Sequence, residues 1–175
     1  RCHETVSNTY RLCALPQTSK NGEKLDTVLI GIGSNVTSQL GSPIQTLRFA
    51  VRAIGRRIAS VRVSRPFSTP AYPPGSGPSF VNGALALECN VSADLVLSTL
   101  HEIEREAARD RRTRWAPRTL DLDLLAKGAE IRPDQDTLET WVALSPDEQI
   151  QRAPDELLLP HPRLHERSFV LVPLL

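Results

Sequence analysis

From Thr119 to Leu124 the chain alternates strictly, with Leu120, Leu122 and Leu124 set between Thr119, Asp121 and Asp123. A period of two predicts a strand with one buried face. Thr27 to Ile32 is a second short apolar run; it ends at Gly33-Ser34-Asn35 and predicts a strand followed by a turn. Beyond that turn the period changes. Ser42-Pro43-Ile44-Gln45 combines an N-cap, a proline at the first helical position and a capping-box glutamine. Leu47, Val51, Ile54 and Ile58 then fall on one helical face, so a helix is expected to about Ala59. Val61, Val63 and Pro66-Phe67 predict a second strand, and Phe80 to Glu88 a third. The intervening Thr69–Ser79 is too rich in proline and glycine for regular structure. Ser92 caps a second predicted helix, with Val96, Leu100, Ile103 and Ala107 as its inward stripe. Ser168 to Leu174 has the β-branched and aromatic content of a last strand.

The predicted order is β-α-β-β-α-β plus additions, which is the ferredoxin-like α+β arrangement: an antiparallel sheet with helices packed on one face. Residues 1–26 are polar and expected to be a flexible N-terminal extension, leaving 27–175 as the folded unit. Gly128 to Leu158 is polar, contains Trp141 and reads as a long excursion, with a short helix expected after Pro146. At 175 residues the chain is one domain by size.

Charge narrows the function classes. Lys and Arg number 21 against 20 Asp and Glu, so no global field draws the chain to nucleic acid or a membrane surface. No stretch has the eighteen or so apolar residues of a membrane span. Cys2, Cys13 and Cys89 match no metal or redox spacing, which points to a reduced, cytoplasmic protein.

The positive charge is local. Six arginines lie between Arg105 and Arg118, directly before the Asp121–Asp123 strand. On that strand both carboxylates project to one side, roughly 6.7 Å apart by strand rise. At an effective dielectric of 20 they repel by about 2.5 kcal/mol, a sign that a shared divalent cation reverses. Hard carboxylate oxygens suit Mg²⁺, which completes its shell with water and substrate phosphates, and guanidinium forks suit phosphate oxygens. Phe80 and Asn82 share a face of the third strand, next to the loop entered by Thr69-Pro70; a ring and an amide there suit a flat heterocycle. His161, between Pro160 and Pro162, with Arg167 and Phe169, would add a cation and a second ring. Each feature also has a plain structural explanation: solvated aspartates, a solvated basic loop, a connector, a turn before a strand. There is no G-x-x-x-x-G-K-[ST] and no G-x-G-x-x-G, so any nucleotide is held by something other than a P-loop or Rossmann turn.

Five blocks in order resemble the 6-hydroxymethyl-7,8-dihydropterin pyrophosphokinase family of folate biosynthesis. They are Ile30-Gly31-Ile32-Gly33-Ser34-Asn35, Ser68-Thr69-Pro70, Phe80-Val81-Asn82, Arg114 to Leu125, and Leu159-Pro160-His161-Pro162 with Arg167-Ser168-Phe169-Val170-Leu171. The resemblance implies the ferredoxin-like fold and transfer of a pyrophosphoryl group from MgATP to the pterin hydroxymethyl oxygen, with release of AMP. It implies that Asp121 and Asp123 bind two Mg²⁺ ions and that Arg109 and Arg111 act catalytically from a mobile loop. Arg118, His161 and Arg167 would hold phosphates with Trp115 nearby, and His101 and Leu124 would lie near ribose and adenine. The pterin would stack between Phe80 and Phe169 and be read by Asn82, Thr69, Pro70, Ala71 and Tyr72, with Gly33 close by. A monomer acting on small molecules is expected. An RNA-binding domain of similar fold is the rival reading; near-zero net charge and the lack of an aromatic RNA-binding strand stand against it.

Overall fold

Val28, Ile30 and Ile32 are spaced by two and almost completely buried on one face of the first strand, β1 (Asp26–Ser34). The computed structural model describes residues 25–71, 77–107, 119–145, 148 and 151–175. β1 lies at the centre of an antiparallel sheet. On one side it pairs with β4 (Phe80–Cys89), and on the other with β5 (Asp121–Lys127). β2 (Val61–Val63) and β3 (Phe67–Thr69) both pair with the outer edge of β4, giving the order β2-β4-β1-β5 with β3 beside β4. This is the ferredoxin-like α+β fold expected from the pattern.

One sheet face carries the core. Leu85 and Leu87 of β4 and Leu120, Leu122 and Leu124 at β5 join the β1 residues there. Leu47, Ala50 and Ile54 of α1 (Pro43–Arg57) and Val96, Leu100 and Ile103 of α2 (Ala93–Ala107) cover them. Each fully buried Leu or Ile contributes about 1.5–3 kcal/mol. Gln45 Oε1 accepts the Ser42 N–H at 2.7 Å, so the predicted box does start α1.

Three departures from the predicted elements have physical causes. The second strand divides into β2 and β3, because Pro66 has no N–H to give to the ladder and Ser64 serves the backbone instead. The Ser64 N–H donates to Ala84 O and the Ala84 N–H to Ser64 Oγ, both at 2.9 Å. Ser168–Leu174 is a helix, α4, and not the predicted last strand. β1 and β4 already have partners on both sides. The Val170 and Leu171 N–H groups instead donate to Arg167 O at 2.9 Å, and Val170 and Pro173, three apart, are buried while Phe169, Leu171 and Val172 stay exposed. Tertiary packing overrides a strand-like composition here. α4 contacts β4 and β3, so the face opposite α1 and α2 also receives a short helix.

The third departure lies in the excursion, which holds a helix missed in the sequence, α3 (Gln135–Val142). Asp134 caps it, accepting the Thr137 N–H at 2.9 Å. The short helix expected after Pro146 has support: Glu148 and Gln151 are helical and Ser145 Oγ donates to Glu148 Oε2 at 2.6 Å.

Candidate active site

Gly31 and Gly33 divide the open sheet face. Gly31 is paired with Asp123 on one side and Ala84 on the other; Gly33 is paired with Asp121 and Asn82. Directly opposed residues of an antiparallel ladder share a face. The two carboxylates therefore look across a strip without side chains toward Asn82 and Phe80, about 10 Å away by two strand spacings. A Cβ at Gly33 would stand 2.6 Å from Asn82 Oδ1. Asn82 cannot simply turn aside, because its Nδ2 donates to Thr69 Oγ1 at 2.7 Å. The glycine thus leaves room for the Asn82 amide oxygen on this face.

The acid strand is held from outside its own pattern. Ser34, completely buried, donates from Oγ to Thr119 O at 2.6 Å. Glu104 of α2 accepts the Leu122 N–H at 2.9 Å, on the free edge of β5 and between the two aspartates. The His161 N–H donates to Leu125 O at 2.8 Å. Leu125 itself is an extra residue in the β1–β5 register: Ile30 faces Leu124 and Leu29 faces Ala126. This bulge ends the alternation just after Asp123 and turns Leu125 onto the open face, beside Gly31.

Two cationic or potentially cationic side chains approach the acids. Arg167, the N-cap of α4, donates from its guanidinium to Asp123 Oδ2 at 3.1 Å and lies 5.7 Å from the centre of the Phe169 ring. His161 Nδ1 accepts the Arg163 N–H at 3.1 Å. Burial, then the charges of Arg167 and Arg163, push the imidazole pKa down to about 4, against the opposing pull of Asp121. With Nδ1 used as an acceptor, the neutral ring carries its proton on Nε2. His161 is therefore a neutral N–H donor, and the cation of this group is Arg167.

The expected site residues fall into three groups. Asp121, Asp123, Gly33, Thr69, Phe80, Asn82, His161, Arg167 and Phe169 are gathered on or beside the open face, with Pro70 exposed and Ala71 buried at the end of β3. Tyr72, Arg109, Arg111, Trp115 and Arg118 lie outside the described residues. His101 is exposed on α2, one turn before Glu104 and therefore on the side of the helix nearest the β5 edge.

The resemblance implies a place for Leu124 near ribose and adenine. Its side chain is buried in the core on the face away from the aspartates. Its main chain is aligned with that of Leu122 along the outer edge of β5. Ser34 and Glu104 were not singled out beforehand. Ser34 lies within the Ile30–Asn35 block, and Glu104 sits on the α2 face next to Leu100 and Ile103, a polar group in an apolar stripe.

A divalent cation fits this donor set. Among the described residues no group of three or more His, Cys, Asp or Glu is available to hold an ion. The two aspartates alone leave most of a coordination shell to water and phosphate, as Mg²⁺ prefers. The Arg167 guanidinium already stands at Asp123 as a surrogate cation.

A ferredoxin-like sheet whose open face gathers paired carboxylates, an arginine, an amide and aromatic rings suits a phosphate-transferring enzyme of small heterocyclic substrates. A sequence model described as 7,8-dihydro-6-hydroxymethylpterin-pyrophosphokinase matches residues 29–175. Relatives named 2-amino-4-hydroxy-6-hydroxymethyldihydropteridine pyrophosphokinase are 33% identical in Haemophilus influenzae, over 85% of this chain and 79% of the relative, and 34% identical in Pseudomonas aeruginosa, over 86% and 79%. A protein of Arabidopsis thaliana named folate synthesis bifunctional protein, mitochondrial, is 31% identical over 84% of this chain, which spans 22% of that protein. The chain belongs to the 7,8-dihydro-6-hydroxymethylpterin-pyrophosphokinase family.

Proposed function

We infer that the chain transfers the pyrophosphoryl group of ATP to the hydroxymethyl oxygen of 6-hydroxymethyl-7,8-dihydropterin, a step of folate synthesis. The observation that carries this reading is the placement of Asp121 and Asp123 across the Gly31–Gly33 strip from Asn82 and Phe80. The pterin hydroxyl oxygen bonds to the β-phosphorus, the bond from that phosphorus to the α–β bridging oxygen breaks, AMP leaves, and the hydroxyl proton passes to solvent. Transfer of this kind places little covalent burden on the protein, so positioning and charge neutralisation supply most of the rate.

We assign the acidic pair to hold Mg²⁺, as two ions. Bound there, Mg²⁺ neutralises phosphate charge and favours ionisation of the attacking hydroxyl. Around it the chain's own groups do the positioning. Arg167 has guanidinium N–H groups beyond the one given to Asp123, and His161 offers a neutral Nε2–H; both suit triphosphate oxygens. Asn82, its Nδ2 engaged by Thr69, presents Oδ1 to the donor edge of the pterin, and Phe80 and Phe169 offer ring faces to its plane. Arg109, Arg111, Arg118 and Trp115 are assigned to the phosphates, Tyr72 and Ala71 to the pterin edge, and His101 to the ribose side. The buried free thiol of Cys89 suits a reducing, cytoplasmic setting.

Purified protein incubated with ATP, Mg²⁺ and the dihydropterin alcohol should release AMP in step with the pterin diphosphate. Release of ADP, or no AMP above a protein-free control, would refute the assignment.

A further inference from the structure

Arg167 touches three parts of the site at once. It donates to Asp123 Oδ2 at 3.1 Å, lies against the Phe169 ring and contributes to the field that keeps His161 neutral. Its backbone is fixed, because Arg167 O accepts two N–H groups of the first turn of α4. The side chain is about one-quarter exposed, as is that of Asp123. Among the described residues the contact is a single N–H···O bond, where a guanidinium–carboxylate fork would use two. Such a contact satisfies a carboxylate without locking it.

We propose that Arg167 is an exchange cation. It neutralises Asp123 while nucleotide is absent and moves its hydrogen bonds to the triphosphate when the metal–nucleotide complex arrives. The proposal rests on Asp123 being a metal ligand, and it adds a role that phosphate binding alone does not include. A guanidinium and a divalent cation compete for the same carboxylate oxygen, so a metal ion entering alone must displace Arg167 and leave it without a partner. A metal ion entering with ATP brings the phosphate oxygens that Arg167 then takes up. The consequence is an enzyme that binds free divalent cation weakly and the complex well, through one side chain acting with opposite sign in the two events.

The opposite signs make the test. Mn²⁺, standing in for Mg²⁺, is titrated into the nucleotide-free protein and followed by the electron paramagnetic resonance of the free ion. The Mg²⁺ complex of a non-hydrolysable ATP analogue is titrated separately by calorimetry. Arg167→Met should bind Mn²⁺ alone about fivefold more tightly, the scale of a partly exposed ion pair, and the nucleotide complex about tenfold more weakly, as expected for a lost charge-assisted hydrogen bond. Arg167→Lys, which keeps the charge, should stay within about twofold of the parent for Mn²⁺ alone.

A residue that only shapes the site would weaken both ligands when changed, and a residue that only binds phosphate would leave Mn²⁺ untouched. Either result overturns the exchange. Arg167→Gln carries the same expectation should Arg167→Met fail to melt as a folded protein. Asp123→Asn separates the two ideas. Loss of Mn²⁺ binding in that variant upholds Asp123 as the ligand; retention would overturn the metal assignment and the exchange with it.

Discussion

Leu122 and Asp123 are neighbours in β5, yet Leu122 is 4% exposed beneath the helices while Asp123 lies on the other face against an arginine. The same contrast runs through β1, where Ile30 and Ile32 are buried in the core and Gly31 and Gly33 form the floor of the site. On the helix-covered face the side chains are apolar, bulky and interlocked. On the open face acids and an amide stand beside two glycines, next to Leu125, Phe80 and Phe169, and Asp123 and Asn82 are each held by a specific bond. A strand with a period of two builds both at once. The stability of one face then fixes the geometry of the other, with no loop needed to carry the acids.

Substitutions that keep to one face separate the two roles. The largest effect expected is from Asp121→Ala or Asp123→Ala, either of which should lower Mg²⁺-dependent turnover by roughly 10³-fold or more. The melting temperature should stay within a few degrees, since each removes one of two repelling charges. Near-normal rates in both variants would refute the metal assignment. One residue away, Leu122→Ala should cost about 2–5 kcal/mol of unfolding free energy. Activity per folded molecule should change only a few-fold at low temperature, as denaturant melts and assays on the same sample would reveal.

His161 adds a pH dependence. Its folded pKa of about 4 lies below the ordinary 6.5, so the unfolded chain takes up the proton first as pH falls. The stability held by the neutral ring is complete above about pH 6.5 and is lost as pH drops toward 4, by on the order of 3 kcal/mol in full. Urea unfolding at pH 7 and pH 4.5 should show a smaller loss in His161→Gln than in the parent; equal losses would show that the imidazole is not held neutral. The smallest effect expected is from Gly33→Ala, whose new methyl group meets Asn82 Oδ1. Pterin affinity should fall about tenfold, the worth of one displaced hydrogen bond. Affinity for the ATP complex should change less than twofold, so a larger change there would place Gly33 elsewhere in the site.

Much of this was legible because alternation is a local property. The Asp121–Leu124 pattern, the Ser42-Pro43 helix start and the Val96-Leu100-Ile103 stripe each depend on neighbours a few residues away. The bulge at Leu125 did not show, since five of the seven residues from Leu120 to Ala126 are apolar and the count gives no hint which is extra. Val170, Leu171 and Val172 favour strands in isolation, whereas in the fold their segment packs as a short helix against β4 and β3. α3 was legible in principle from Asp134 and Thr137, three apart ahead of Leu138 and Trp141, but the polarity of the whole excursion hid it.

In the site, residue types announced the chemistry and partners did not. Nothing in the chain pairs Ser34 with Thr119, Glu104 with Leu122 or Arg167 with Asp123; those contacts exist only once the sheet is assembled. The protonation state of His161 belongs to the same class, being set by burial and by two arginines close in sequence. Leu124 shows the converse. The motif match implies a position near ribose and adenine, while the alternation sends the side chain into the core.

The most direct measurement is a crystal structure with a non-hydrolysable ATP analogue, the dihydropterin alcohol and Mg²⁺. The account predicts divalent cation density about 2.1 Å from carboxylate oxygens of both Asp121 and Asp123, with the pterin across the Gly31–Gly33 strip against Asn82. A nucleotide complex bound elsewhere, with the two carboxylates touching only water or arginine, would contradict it.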